Sequence, residues 1–212
     1  MLTLYAHPLS SFCWKALVAL YENETPFEMH LLDQSTWGAY AEKWPVARMP
    51  ALEDSDRKQF VPEASIIIEY LDQHYRGKTR FIPNDADAAR EVRLWDRFFD
   101  LYIQVPMQKT VGDRIRPDGK KDSLGVEDAK RLIATSYGVL EKQLGDRAFA
   151  VGDSFTMADC AAAPALFYGA KNVPIDGHPK SAAYLERLKQ RSSFARILKE
   201  AEPYFHMYPA GE

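Results

Sequence analysis

The chain has 212 residues, which at about 150 residues per domain allows one large domain or two small ones. Its hydrophobic share of 46% and charged share of 27% exclude a disordered or fibrous chain. Lys and Arg number 27 against 30 Asp and Glu, and no basic stripe stands out, so no nucleic-acid surface is expected. Two cysteines, Cys13 and Cys160, are too few for a disulfide framework and read as reduced thiols of a cytoplasmic protein. The first basic residue is Lys15, and Pro164 interrupts the longest weakly polar run, 160–170. Neither a secretory signal nor a membrane span of about 20 residues is therefore expected. The aromatic share of 12% fits a large core or an apolar cleft equally well.

In chain order, Leu2–Tyr5 alternates and runs into His7-Pro8, a strand followed by a loop. Phe12–Tyr21 places Phe12, Ala16, Leu17 and Leu20 at helical spacing, and Asn23 and Pro26 end it. Phe27–Leu32 is the next strand, which makes a βαβ unit with parallel strands. A weak helix is expected over Trp37–Lys43. Strands Ala51–Glu53 and Gln59–Val61, joined through Asp54-Ser55-Asp56, form an antiparallel hairpin. Ser65–Tyr75 is a helix with Ile67, Tyr70, Leu71 and His74 on one side. After a polar stretch around 76–85 the strand signals end. A long helical pattern over Ala86–Ile115 spaces Leu94, Phe98, Leu101 and Val105 at i, i+4, i+7 and i+11, and Pro106 is expected to kink it. Further helices are expected over Val126–Leu144, Met157–Lys171, Lys180–Gln190 and Phe194–Glu200. The tail Tyr204-Phe205-His206-Met207-Tyr208 either covers a cleft or simply packs.

Four short segments carry possible chemistry. Thr156 with Asp159 has the spacing of a helix capping box, with Asp where Glu or Gln is usual. Met49-Pro50 precedes a strand; a trans turn and a cis bend both fit, and the cis bend exposes backbone groups to an extended ligand. Ser10-Ser11-Phe12-Cys13 opens a helix whose free amides and positive dipole end favour an anion. If that anion is a thiolate, the demand is large. A thiol of pKa ~8.5 is only about 3% ionised at pH 7, and lowering that pKa by two units takes ~2.7 kcal/mol. Serine capping alone explains the turn just as well. Glu63-Ala64-Ser65 opens another helix, either as dipole compensation or as a site for a carboxylate and an ammonium group. The sequence holds no glycine-rich nucleotide loop, no C-x-x-C, and no metal-ligand spacing among its five histidines.

In this order, on β-α-β and then β-β-α followed by helices, the segments resemble the cytosolic glutathione transferase superfamily, serine type, over essentially the whole chain. The resemblance implies an α/β plus all-α fold. A thioredoxin-like domain would span 1–77, a linker 78–87 and an all-helical domain 88–212. It implies glutathione as cosubstrate, a small apolar electrophile, a homodimer, and no metal, membrane or nucleic-acid partner. Carried over, Ser10 falls where the thiolate-stabilising hydroxyl sits; Ser11 shares the turn. Arg48, Met49, Pro50, Glu63, Ala64 and Ser65 fall on the glutathione site, with Pro50 as the cis proline. Phe12, Phe99 and Tyr102 are expected at the electrophile site.

Three departures are visible. Ala64 replaces the usual serine, Trp44 and Ala47 replace the usual asparagine and glycine, and Cys13 lies where redox relatives carry a second cysteine. Glutathione-dependent isomerase, dehalogenase or peroxidase chemistry is an alternative on the same scaffold. A non-catalytic binding or assembly module is the other, and Ala64 is the feature that favours it.

Overall fold

The computed structural model describes residues 1–209; the last three positions of the expected helical domain, 210–212, lie outside the described residues. The first half comprises β1 (Leu2–Ala6), α1 (Ser11–Glu22), β2 (Glu28–Leu31), α2 (Trp37–Lys43), β3 (Ala51–Asp54), β4 (Gln59–Pro62) and α3 (Ala64–His74). The sheet order is β2-β1-β3-β4, with β1 and β2 parallel and the other pairs antiparallel. Alternation in β1 turns Leu2, Leu4 and Ala6 to the face that packs on α1 and α3. Tyr5 and Phe60 lie on the opposite face, under Tyr40 of α2.

Asp54, expected in the hairpin turn, closes β3 instead. It is buried, accepting from Tyr70 Oη at 2.7 Å and from the Asp56 and Arg57 amides at 3.1 and 3.2 Å. The carboxylate thereby builds the turn that follows it.

The polar stretch 75–85 is anchored rather than loose. Phe81 is fully buried; its amide donates to Asp72 Oδ1 at 2.8 Å and its carbonyl accepts from the Met157 amide at 3.0 Å. Beyond it lie α4 (Ala86–Phe99), a π-helical turn (Asp100–Gln104), α5 (Val105–Arg114), α6 (Ser123–Leu144), α7 (Met157–Ala170), α8 (Pro179–Gln190), α9 (Ser192–Ala201) and a 3₁₀ segment (Glu202–Met207). The expected break at Pro106 takes the form of the π turn just before it, which re-registers the hydrogen bonds that the proline ring disrupts.

The expected apolar stripe is corrected as well. Of its four residues only Phe98 is buried; Leu94, Leu101 and Val105 are each close to half exposed or more. The inward face of α4 is Val92, Trp95, Asp96 and Phe99, a phase one residue away from the expected one.

The capping box forms as expected. The Thr156 amide donates to Asp159 Oδ2 at 2.8 Å, and Asp159 also takes the Ala150 amide at 3.0 Å and Tyr184 Oη at 2.5 Å. Burial pushes the Asp159 carboxyl pKa up and these hydrogen bonds pull it back.

A second buried polar group joins the two halves of the chain. Lys15 of α1, fully buried, places Nζ 2.6 Å from Asp96 Oδ1, 2.7 Å from Asp100 Oδ2 and 2.8 Å from Ser65 Oγ. Ser65 Oγ in turn donates to Asp96 Oδ2 at 2.7 Å, and the more exposed Arg97 reaches Asp100 Oδ2 at 2.7 Å.

Candidate active site

A cavity of about 720 Å³ opens between the sheet domain and the helices. Its first wall is the β1–α1 loop, His7 to Ser10, with the start of α1. The carbonyls of this loop are all taken. His7 O accepts from the Ser10 amide at 3.0 Å, Pro8 O from Trp14 Nε1 at 2.5 Å, and Leu9 O from Tyr168 Oη at 3.0 Å. Ser10 Oγ caps α1 only weakly, at 3.4 Å from the Cys13 amide. Among the described residues the Ser11 and Phe12 amides meet no acceptor, as the geometry of a helix start dictates. The wall therefore offers donors and a positive helix end to the cavity.

The second wall is 47–50. The Met49-Pro50 bond is cis. Tyr40 Oη donates to Arg48 O at 2.5 Å and fixes the loop to α2. Ala47 sits at φ +49°, a left-handed conformation that costs a residue with a Cβ about 1 kcal/mol relative to glycine. The alanine noted at this position therefore carries backbone strain that a glycine would not. The third wall is the start of α3. Glu63 adopts φ +73°, ψ 123° and leaves α3 without a side-chain cap. Such an outlier persists only where its surroundings over-determine it, and these outliers concentrate at functional sites. Ala64, buried, follows it on the cavity wall.

Of the sequence-derived site residues, Ser10, Ser11, Phe12, Arg48, Met49, Pro50, Glu63 and Ala64 come together around this one cavity. Ser65 does not line it, because its hydroxyl is held by Lys15 and Asp96. Phe99 and Tyr102 do not line it either. Phe99 is fully buried against Trp95 and Phe98, and Tyr102 is 45% exposed on the outer surface. Phe99 ends α4 facing the helical core and Tyr102 lies within the π turn that follows; the cavity is met beyond that turn by Val105, Gln108 and Gly112, with Met107 and Val111 beside them.

Three further groups line the cavity; sequence reasoning missed His7 and Tyr168 and left the C-terminal tail between covering a cleft and simply packing. His7 carries Nδ1 as acceptor from the Leu9 amide at 3.2 Å, and burial holds its pKa below the ordinary value, with Asp33 opposing. Burial thus favours the neutral imidazole. Tyr168 comes from α7. Met207, Tyr208 and Pro209 close the rim, so the aromatic tail covers the cleft. Tyr208 stacks on Tyr168 at 5.5 Å, and Asn172 ties Thr110, Arg114 and Tyr208 together.

Cys13 is fully buried, and burial pushes its thiol up to about 11. It is neither exposed nor ionised at neutral pH, which removes the basis for disulfide chemistry there. Among the described residues no cluster of His, Cys, Asp or Glu has the geometry to hold a metal, and no helix is long and apolar enough to cross a membrane.

Two family models match the chain: "Glutathione S-transferase, N-terminal domain" over residues 4–79 and "Glutathione S-transferase, C-terminal domain" over residues 124–187. A glutathione S-transferase-like protein of Fusarium is 31% identical over 144 residues, covering 68% of this chain and 64% of that protein. Human glutathione S-transferase theta-1 is 26% identical over 204 residues, covering 89% of this chain and 82% of that protein. A crystal structure of a glutathione S-transferase from Methylobacterium radiotolerans, in complex with glutathione sulfonate, superposes with a TM-score of 0.81 at 25% identity, over all of this chain and 96% of that one. A four-stranded mixed sheet with its helices, the all-helical half behind it, and family models matched in both halves lead to one conclusion: the chain belongs to the glutathione S-transferase family.

Proposed function

We propose that this chain holds glutathione along the sheet side of the cavity and joins its sulfur to an apolar electrophile on the helical side. The observation that carries this reading is the convergence of Ser10, Met49-Pro50 and Glu63-Ala64, from three separate loops, on one cavity that two helix N-termini enter. In this reading Ser10 Oγ donates to the glutathione thiolate, and the Ser11 and Phe12 amides add to the field that favours it. The Met49 backbone pairs with the cysteinyl part. Glu63 takes the γ-glutamyl ammonium, and the Ala64 amide takes the adjoining carboxylate. Arg48 supplies a guanidinium for the second carboxylate. The thiolate then attacks the electrophilic carbon; a C–S bond forms, and the leaving group departs with its bonding electron pair. Holding both reactants in one cavity removes much of the entropic barrier to their meeting. Disposal of reactive apolar compounds in the cytoplasm is the role this chemistry fits, and two buried free thiols accord with a reducing compartment.

Calorimetry with glutathione tests the reading, and a wild-type chain that fails to bind at millimolar glutathione overturns it. Glu63→Gln is expected to weaken glutathione by about 10- to 100-fold, since a charged hydrogen bond is worth ~1.5–3 kcal/mol. Ala64→Ser, which restores the missing hydroxyl, is expected to tighten it by about 2- to 10-fold. We further propose a homodimer as the working form. Leu94, Leu101 and Tyr102 are exposed along α4 and the π turn that follows it, Tyr102 with its ring edge-on to Phe98, and apolar surface of this kind is what an interface covers. Sedimentation at twice the mass of the chain is expected; a monomer at micromolar concentration excludes the dimer.

A further inference from the structure

Two glycines in neighbouring helices stand in opposite situations. At Gly169 of α7 a Cβ would meet Tyr137 Oη at 2.7 Å and the Ile103 side chain at 3.0 Å, so close packing demands the glycine. At Gly112 of α5 a Cβ would meet no atom of the surrounding protein within 4 Å, and the backbone there is ordinary helix. Neither packing nor backbone conformation requires glycine at 112, although glycine is less favourable than any residue but proline in a helix interior. What its missing side chain provides is room. Gly112 lines the cavity one turn beyond Gln108 and beside Val111. Among the described residues the helical side of this cavity, from Val105 to Gly112 with Tyr168 and 207–209, carries no charged group.

We propose that Gly112 is a specificity-determining residue. It hollows the α5 wall so that the cavity admits an uncharged electrophile bearing a bulky apolar substituent, a ring or a chain of about six carbons, next to the reacting carbon. Gln108, an uncharged donor and acceptor one turn away on the same cavity wall, orients such a substituent at its rim. This inference rests on the glutathione-transferase reading above and specifies the electrophile side of that same cavity.

S-Hexylglutathione separates the two claims, because its peptide part reports on the sheet side and its hexyl chain on the α5 wall. Calorimetry with glutathione and with S-hexylglutathione is compared on wild type, Gly112→Ala and Gly112→Leu. Glutathione is expected to bind all three within twofold. S-Hexylglutathione is expected to weaken about threefold in Gly112→Ala and at least about tenfold in Gly112→Leu, the range over which a hydrophobic pocket registers added carbon atoms. Thermal melting of Gly112→Ala is expected to rise by about 2–4 °C, since alanine is the better helix former. Unchanged S-hexylglutathione binding in Gly112→Leu, with glutathione bound normally, overturns the role of Gly112 and leaves the broader reading intact. Equal loss of both ligands in variants that melt like wild type overturns it as well, because position 112 would then act on the whole site. If Gly112→Leu does not fold, the threefold effect in Gly112→Ala decides, and its absence overturns the inference. Wild-type chain that binds neither compound overturns the glutathione reading itself.

Discussion

Replacing Ser10 by alanine is expected to lower kcat toward an aryl halide by about 10²-fold at pH 7 and to raise the pKa of bound glutathione by about one to two units. The magnitude follows from one hydrogen bond to an anion, worth ~1.5–3 kcal/mol, set against the ~1.4 kcal/mol that each pKa unit takes. The helix end remains in the variant, because the Ser11 and Phe12 amides do not depend on the side chain at position 10. Residual activity well above the uncatalysed rate is therefore expected. The sign of the pH dependence is fixed by the same argument. A group that favours the ionised thiol lowers its pKa, so its removal moves the pH–rate profile to the alkaline side, and the deficit narrows as pH rises past the new pKa. Ultraviolet absorbance of the thiolate, titrated on wild type and variant, reads the shift directly. An unchanged titration removes Ser10 from the role, and a larger shift in Ser11→Ala transfers it there. Cys13→Ala is the control, expected to leave the profile in place because that thiol is buried and un-ionised.

Lys15→Met is expected to destabilise the fold by about 3–5 kcal/mol, the usual result of removing one partner from a buried ion cluster. It strands Asp96 and Asp100, both buried, with only Ser65 and the more exposed Arg97 to serve them. Burial already pushes the Asp96 carboxyl pKa up, and Lys15 is the cation that opposes it. For a chain of this length each kcal/mol moves the melting temperature by about 2–4 °C, so a fall of roughly 6–20 °C is anticipated in calorimetry. Adding Asp96→Asn and Asp100→Asn to Lys15→Met removes the stranded charges and is expected to recover a substantial part of the loss. A fall below about 1 kcal/mol in the single variant would mean that water reaches the cluster and the burial argument fails.

The sheet half was legible because its signals are local. Alternation in Leu2–Tyr5, the stop at Asn23 and Pro26, and the short connection before Gln59 each act over a few residues, and each element lies within one or two residues of its expected place. On the sheet side of the cavity, Ser10, Met49-Pro50 and Glu63 were brought together by the family resemblance of three segments taken in order, since each alone fits an ordinary turn or helix cap, and all of them line the one cavity. The helical side was not legible in this way. Phe99 and Tyr102 were placed in the cleft by the family resemblance, whereas Phe99 packs into the helical core and Tyr102 lies in the π turn over Asp100–Gln104, whose register a 3.6-residue reading does not follow. Residues such as Tyr168 and Tyr208 reach the cavity only through packing between segments far apart in the chain. Their signal is tertiary, and the expectation for the tail accordingly stood between two alternatives.

The hydroxyl of Tyr168 donates to the Leu9 carbonyl across 159 positions of sequence, while the ring of the same residue forms part of the helical wall. One side chain thus serves as brace for the serine loop and as boundary for whatever is conjugated. Under the proposed chemistry the range of compounds accepted and the acidity conferred on the thiol are consequently not separate variables. A substitution at 168 that reshapes the wall also frees the loop, whereas one on α5 or in the C-terminal segment reshapes the wall alone.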